Sequence, residues 1–364
     1  MPVREIDPAQ KQELNRFVRL ERELVGDQPL FYGDLDSNVR KILSGRSEFS
    51  KQWDVALFAN DRARAAALIN PVWQASHDQP QTGGIGWFAA APGSYMETRD
   101  VLDAAEDWLA RRGMTRVIAP FNGVAFLGMS ALTDAYEESP MFPLPWSPPH
   151  YEQYFADAGY EHTYPFWYYD VDFMYERYRD FTERALESPE CSVRGIDKRR
   201  WDEEVETLRL VWNEGFASEW EFQQFTPEEF REFFKDMKPV VDSRTLLIAE
   251  VDGEPAGLVL GMPDLTPAWR AMRGRLGPLK LLRMLQSARR PSRVGLLGIA
   301  VRPQFRGRRI GATLAASLYR NLEAIGLRES SYYVVNDSNV QSRGLAESLG
   351  GEGRILFHCF DKSL

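Results

Sequence analysis

The stretch LLGIAVRPQFRGRRIG, residues 296–311, decides the fold of this chain of 364 residues. Its apolar opening predicts a strand over 293–301, which ends before Pro303 because proline donates no ladder hydrogen bond. A short basic turn follows, and leucine and isoleucine residues at helical spacing then predict a helix over 310–325. Strand, glycine-bearing turn and helix are therefore expected to follow one another directly.

The turn between this strand and this helix has the features of an anion-binding site. The first N–H groups of a helix have no helical partner, and they lie at the positive end of the helix dipole. Glycines at 307 and 311 let a ligand approach the backbone, and arginines at 306, 308 and 309 add positive charge. A merely basic helix start is the alternative, but the combined pattern favours a pyrophosphate site. It is not the ATP P-loop, because it lacks Gly-Lys-Ser/Thr.

This segment resembles the acyl-CoA binding signature of the GNAT superfamily of N-acyltransferases. That signature is Arg or Gln, two residues, Gly, one residue, then Gly or Ala. Arg306 and Gly311 match its ends, whereas Arg309 stands where the middle glycine usually is. Asn339 is similar to the asparagine of the superfamily's next motif, in the helix beside the pantetheine arm.

The resemblance implies that acetyl-CoA or another acyl-CoA is bound as a substrate, and that no metal takes part. The main chain of the strand at 299–301 is expected to hold the pantetheine arm and polarise the thioester. The cofactor-binding residues implied in this way are Ile299, Ala300, Val301, Arg306, Gly307, Arg308, Arg309, Ile310, Gly311, Ala312 and Asn339.

The groups that transfer protons are less well defined by the sequence. Many GNAT enzymes carry a glutamate on this strand and a tyrosine seven residues after the motif asparagine. This strand has no carboxylate, and Ala346 stands at the tyrosine position. Tyr333 and Tyr332 are the candidate catalytic residues, and Asn336 and Asp337 are further candidates near the expected opening between the strands. Strand alternation lets only one of the two tyrosines point at the cleft. A bound water, an acceptor that arrives neutral, or a domain that catalyses poorly remain alternatives.

The two halves of the chain repeat one order of elements. This order predicts an α/β fold with mixed α+β sheets, namely two GNAT-like domains in tandem, each a central mixed β-sheet flanked by helices. The expected domains are 1–175 and 190–364, the second with an insertion at 263–292. In the first domain the loop Ala91–Glu97 lies where the basic, anion-binding turn would be expected, but this loop has no arginine. We therefore expect a degenerate domain without a CoA site, which shapes the acceptor pocket.

The insertion at 263–292 is unusually basic. The segment from Arg270 to Arg293 carries eight Arg or Lys residues, counting both ends, and no acid, beside several leucines. This pattern predicts an amphipathic lid near the acceptor pocket. A solvated helix that covers the core and a helix that lies on a membrane surface are the alternatives.

Composition limits the compartment and the partners. The net charge of −9 argues against nucleic acid, and no stretch is long and apolar enough to span a membrane. The charged N-terminus does not resemble a secretory signal, and two cysteines cannot form a disulfide framework. The four histidines are scattered, which argues against a metal site. We therefore expect a cytoplasmic protein with no membrane partner; the oligomeric state is left open.

Together these features predict an enzyme, an acyl-CoA-dependent N-acyltransferase of the GNAT type. It would transfer an acetyl or other acyl group to the primary amine of a small molecule. Two alternatives remain. The chain could be a non-catalytic acyl-CoA-binding protein, because the usual glutamate and tyrosine are missing, or an aminoacyl-tRNA-dependent transferase, some of which also pair two GNAT-like domains.

Overall fold

The computed structural model describes residues 2–235 and 237–364. The strands are β1 Arg4–Ile6, β2 Asp54–Ala59, β3 Ala63–Ile69, β4 Thr82–Ala90, β5 Arg116–Ala119, β6 Ala131–Leu132, β7 Glu161–Asp172, β8 Ser192–Gly195, β9 Leu246–Val251, β10 Glu254–Pro263, β11 Val294–Val301, β12 Glu329–Asn336 and β13 Glu352–Ser363. The helices are α1 Lys11–Val25, α2 Asp36–Leu43, α3 Pro71–Ser76, α4 Tyr95–Ala110, α5 His150–Asp157, α6 Glu176–Leu186, α7 Trp201–Gly215, α8 Pro227–Lys235, α9 Thr266–Met272, α10 Pro278–Arg289, α11 Ile310–Ala324 and α12 Val340–Ser348.

All of these strands belong to one mixed sheet. Its order is β1-β2-β3-β4-β5-β13-β7-β12-β11-β10-β9-β8, and the short β6 pairs with β13. The order reads alike from both ends: five strands of one half, then the two long strands β13 and β7, then five strands of the other half. The predicted class, mixed sheet and tandem arrangement are confirmed.

The two halves exchange their last strands at the centre of the sheet. β13, the last strand of the chain, lies between β5 and β7, and β7 lies between β13 and β12, with antiparallel pairing throughout. A buried polar contact stabilises this arrangement of strands: Glu106 of α4 accepts hydrogen bonds from Tyr160, just before β7, and from Lys362 of β13. Each half therefore completes its sheet with a strand of the other.

Helices cover both faces of the sheet. On one face α1, α2, α7 and α8 share a single aromatic-rich core that spans both halves. On the other face α4 and α5 cover the N-terminal half, while α6, α11 and α12 cover the C-terminal half. Helix α6 occupies most of the segment between the two predicted domains, where the Thr313 hydroxyl of α11 donates to the Ala185 carbonyl.

The segment 296–311, quoted at the start, folds as predicted. Strand β11 ends at Val301 and helix α11 begins at Ile310. In the N-terminal half helix α4 begins at Tyr95, so the predicted loop Ala91–Glu97 contains the first turn of this helix. The sequence also predicts that α8 extends to Asp236, which lies outside the described residues.

Candidate functional site

The site begins where two parallel strands separate. β11 and β12 pair only at Gly295 with Ser331 and at Leu296 with Tyr332. Beyond that point a bulge interrupts the ladder between β10 and β11, because Leu260 faces Gly298 while Gly261 faces Leu296. Within the described residues, the edge of β11 from 297 to 301 that faces β12 has no strand partner. Its peptide groups are therefore available to an extended ligand.

The other side of the opening is also irregular. Val334 of β12 has φ +61°, a conformation that is unfavourable for a β-branched residue, and the ladder to β7 shifts between Tyr332 and Val335. Such a conformation costs on the order of 1–3 kcal/mol and persists only where the surroundings impose it, often at functional sites.

The turn after β11 presents backbone N–H groups to solvent. Gly307 has φ +84°, and an added Cβ there would meet nothing within 4 Å. Arg309, the residue before helix α11, has φ +53° and is therefore not helical. The N–H groups at the start of α11 have no helical carbonyl one turn earlier to accept their hydrogen bonds. At Gly311 an added Cβ would lie 3.9 Å from Ile299 and Val301, so the space above the helix start is open.

The arginines of this turn are not neutralised by carboxylates of the described residues. Arg306 donates through Nη2 to the Gly215 carbonyl at 3.0 Å, and Arg309 donates to the Arg184 carbonyl at 3.0 Å. The exposed guanidinium of Arg308 lies 5.8 Å from the Phe305 ring centroid. By contrast, Arg302 pairs with Glu214 and Glu254. The turn therefore keeps a positive charge for an anionic ligand.

A buried carboxyl group lies in the segment that follows α7. Glu221 is only 3 % exposed, and its Oε2 has no hydrogen-bond partner among the described residues. Burial raises the pKa of this carboxyl from 4.5 to about 8, although the neighbouring Asn336 amide lowers it somewhat. A carboxyl with this pKa can hold or release a proton near neutral pH.

Asn336 connects this carboxyl to the strand opening. It is the last residue of β12 and is 3 % exposed, and its Nδ2 also has no partner within the described part of the chain. The indole of Trp220, the residue before Glu221, stacks on Tyr164 with ring centroids 3.8 Å apart. Unpartnered buried polar atoms are uncommon in proteins, and such atoms usually bind a water molecule or a ligand.

The N-terminal half holds the segment that carries Glu221. The Trp73 indole donates to the Trp220 carbonyl at 2.6 Å, and the Ala125 amide donates to the Glu221 carbonyl at 3.1 Å. His77 Nε2 lies 2.5 Å from the Phe222 carbonyl, which requires the tautomer protonated at Nε2. The C-terminal half supplies the carboxyl group, and the N-terminal half sets its position.

Aromatic side chains line the approach on the same face of the sheet. An added Cβ at Gly298 would lie 3.3 Å from Trp212 and 3.7 Å from Phe216, so both rings pack close to β11. A small cavity of about 50 Å³ is lined by these two rings, Phe222 and polar residues. The surroundings of the bulge are therefore mainly apolar.

The corresponding opening in the N-terminal half is filled by protein. β4 and β5 also pair only at their beginnings, but there the Asn122 side chain accepts from the Trp87 amide at 2.7 Å. At the start of α4, the Tyr154 hydroxyl accepts from the Ser94 amide at 2.8 Å. Both the strand edge and the helix start of this half are occupied by its own side chains.

The structure also locates the residues proposed from sequence for proton transfer. Tyr332 lies in the core under α11, where its hydroxyl bonds to Ser342, and Tyr333 is fully buried on the opposite face, stacked on Tyr168. Burial raises the pKa of both phenols. Asn339 caps α12 by accepting from the Ser342 amide at 2.9 Å. The roles proposed for these three residues stay predictions.

The sequence does not predict the burial of Glu221, because a short segment between two helices is expected to be a solvated loop. The available signal was its position between two large aromatic residues, Trp220 and Phe222. An acid between two aromatic residues does not by itself predict a buried carboxyl group, because burial depends on the N-terminal half closing over the segment.

Comparison with known proteins agrees with this geometry. Residues 206–350, which include the strand opening and the basic turn, match the model of the Acetyltransferase (GNAT) family. Residues 206–350 are a GNAT domain. The GNAT fold implies that it binds an acyl-CoA, and the chain is an N-acyltransferase of this type.

Two relatives extend the similarity beyond the GNAT domain. A protein of Caulobacter vibrioides named bacterial ceramide synthase is 26 % identical over 97 % of this chain and 95 % of its own length. Protein YghO of Escherichia coli is 24 % identical over 97 % of this chain and 94 % of its own length. Both similarities include the N-terminal half as well as the GNAT domain.

A solved structure shares the arrangement of both halves. A tandem GNAT protein from the clavulanic acid biosynthesis pathway superimposes with a TM-score of 0.55 at 11 % identity, covering 99 % of this chain and 98 % of that one. At this identity the similarity concerns the fold alone. It places a second GNAT-like unit before the GNAT domain.

Proposed function

We propose that this chain transfers an acyl group from acyl-CoA to the primary amine of a small molecule, and that Glu221 is the general base. One observation carries the proposal. A buried carboxyl with an unpartnered oxygen and a pKa of about 8 lies beside the end of β12, at the opening between the strands.

The donor half of the site is the basic turn and the free edge of β11. The N–H groups at the start of α11 would hold the diphosphate of CoA, with Arg306 and Arg308 close to its oxygens. The peptide groups of Ile299–Val301 would pair with the pantetheine arm, as a further strand pairs with an edge. Hydrogen bonds from this main chain would polarise the thioester carbonyl as the amine attacks.

The acceptor half of the site prepares the amine. An alkylamine is an ammonium ion near neutral pH and cannot attack until it loses a proton. The Glu221 carboxylate accepts that proton, the amine nitrogen bonds to the carbonyl carbon, and the C–S bond breaks. A second proton passes from the nitrogen to the departing sulfur, so the products are a neutral amide and CoA as the free thiol. The free Nδ2 of Asn336 is suited to donate to the carboxylate or to a polar group of the acceptor.

We propose a long-chain amino alcohol as the acceptor. The relative named bacterial ceramide synthase supports this choice, because a ceramide is the N-acyl derivative of such an amine. The apolar rings of Trp212, Phe216 and Phe222 beside the bulge are compatible with an alkyl chain. The N-terminal half binds no CoA in this proposal, in keeping with the side chains that fill its opening.

Release of free thiol from acyl-CoA tests this function. The purified protein is given acetyl-CoA or palmitoyl-CoA together with a long-chain 2-amino alcohol, an unbranched amine of the same length, or ethanolamine. We expect amine-dependent thiol release and an N-acyl product in mass spectra, fastest with the long-chain amino alcohol. Release that does not depend on any amine, or no release at all, would contradict the proposal. A preference for ethanolamine would contradict the acceptor class alone.

A further inference from the structure

The insertion between β10 and β11 exposes a group of leucines. Leu276, Leu279 and Leu282, in the turn before α10 and in its first turns, are 49 %, 77 % and 53 % exposed, and Leu281 is 38 % exposed. These four residues lie within seven positions of the chain. Single exposed leucines are common on proteins, but a cluster indicates an interaction surface.

The rest of the insertion is well anchored, so the protein framework fixes the direction of this surface. The indole of Trp269 packs on Phe142 with ring centroids 4.3 Å apart, and Arg270 donates to Ser139 at 2.8 Å. In α10, Met284 and Leu285 pack against a small core around Leu265. One side of α10 therefore faces the protein, whereas Leu279 and Leu282 point away from it.

Cations surround the leucines. Arg273, Arg275, Arg283, Arg289 and Arg290 are exposed, and none pairs with a carboxylate of the described residues. No acid occurs between residues 270 and 293, although the chain as a whole carries a net charge of −9. A positive apolar surface on an acidic protein is suited to a negatively charged partner with an apolar interior.

We propose that this leucine–arginine surface docks the enzyme onto a bilayer that contains anionic lipids. The exposed leucines enter the interface, and the arginines bind lipid phosphates. With 12 residues, α10 is too short to cross the hydrocarbon layer, and no helix within 2–235 and 237–364 is long and apolar enough to do so. Helix α10 would therefore lie in the plane of the surface.

This surface goes beyond the proposed function and revises the expectation of no membrane partner, which rested on the lack of a spanning segment. A second copy of the chain is the competing occupant. Charge argues against it, because a two-fold contact would bring the unpaired arginines of both copies together.

Flotation with lipid vesicles tests the docking without any substrate. The full chain is mixed with vesicles of pure phosphatidylcholine, or of phosphatidylcholine with one-third phosphatidylglycerol. We expect flotation with the anionic vesicles only, reduced about tenfold or more at about 1 M salt, where the Debye length is roughly 3 Å. No flotation, or equal flotation with neutral vesicles, would overturn the proposal.

Matched variants assign the binding to this surface. We expect the double variant Leu279→Ser, Leu282→Ser to lose about tenfold or more in vesicle affinity. The double variant Arg275→Glu, Arg283→Glu should lose as much. Leu210→Ser, at a residue 47 % exposed on α7, is the control and should bind like the wild type. Far-ultraviolet circular dichroism melts verify that each variant is folded.

Two further outcomes would overturn the proposal. One is vesicle binding that both double variants retain in full while folded. The other is a sedimentation-velocity dimer of the native protein that Leu279→Ser, Leu282→Ser converts to a monomer, because a second copy would then cover the surface. Thiol release with ethanolamine, which is water-soluble, reports on the chemistry separately, so loss of docking and loss of activity are distinguishable.

Discussion

Replacing Glu221 by glutamine separates the proposed chemistry from the fold. Glutamine has nearly the same shape as glutamate and is also polar, but it cannot take a proton from the acceptor amine. The change therefore removes one function of the side chain without opening a cavity.

The effect on activity follows from the pKa of Glu221. With a pKa of about 8, roughly one carboxyl in ten is ionised at pH 7 and about nine in ten at pH 9. If the carboxylate is the base, kcat/KM of the wild type rises through this range and then levels off. General-base catalysis typically contributes about 10²–10⁴-fold, so the glutamine variant should lose activity by that factor and lose this pH dependence.

The effect on stability has the opposite sign. Below pH 4.5 the carboxyl is protonated in both the folded and the unfolded chain. Between pH 4.5 and about 8 the unfolded chain ionises while the folded chain keeps its proton, so stability falls as pH rises through this window. The loss is about 3 kcal/mol at pH 7 and approaches roughly 5 kcal/mol above pH 8. Glutamine never ionises and avoids this loss.

Two assays on the same protein samples test the reasoning. Thiol release between pH 6 and 9 gives the activity profile, and thermal unfolding at pH 4.5 and pH 8 gives the stability. We expect the Glu221→Gln variant to be nearly inactive, to melt like the wild type at pH 4.5, and to melt several degrees higher at pH 8. A variant that keeps wild-type activity would refute the role of base, and one that melts lower at pH 8 would refute the buried, proton-holding carboxyl.

Three other predictions address the rest of the site. The double variant Arg306→Glu, Gly311→Glu should weaken acyl-CoA binding about a hundredfold or more in calorimetry, because its acids would face the diphosphate. Gly311→Ala is the control, since a Cβ fits at this position. Unchanged affinity of the double variant would contradict the proposed diphosphate site. Calorimetry should give one CoA per chain, whereas two would contradict the filled N-terminal opening. Trp73→Phe should lower kcat several-fold and leave the Kd for CoA unchanged, because it removes the hydrogen bond to the Trp220 carbonyl that helps to position Glu221. Equal kcat in the variant and the wild type would contradict this positioning role of Trp73.

The amino-acid sequence by itself determined the local part of this site. The strand 294–301, the turn with its unpaired arginines and the helix from Ile310 all follow from contiguous residues. Hydrophobic periodicity, proline and glycine act within a few positions, so one segment was enough to predict them. The tandem arrangement was also visible, because the order of elements repeats.

Tertiary structure alone decided how the halves share one sheet. The sequence predicts strands near Tyr164–Phe173 and Ile355–Phe360, but not that each lies between strands of the other half. Strand pairing over this separation depends on which edges are free once both halves have folded, and no local pattern records that.

The same reason explains the carboxyl at the centre of the proposed chemistry. Glu221 is an unremarkable acid in sequence, in a segment between two helices. Its raised pKa arises because Trp73, His77 and Ala125, more than ninety positions earlier in the chain, close over this segment. Burial is a property of the assembled molecule, so the group best suited to move a proton became visible only when both halves were in place.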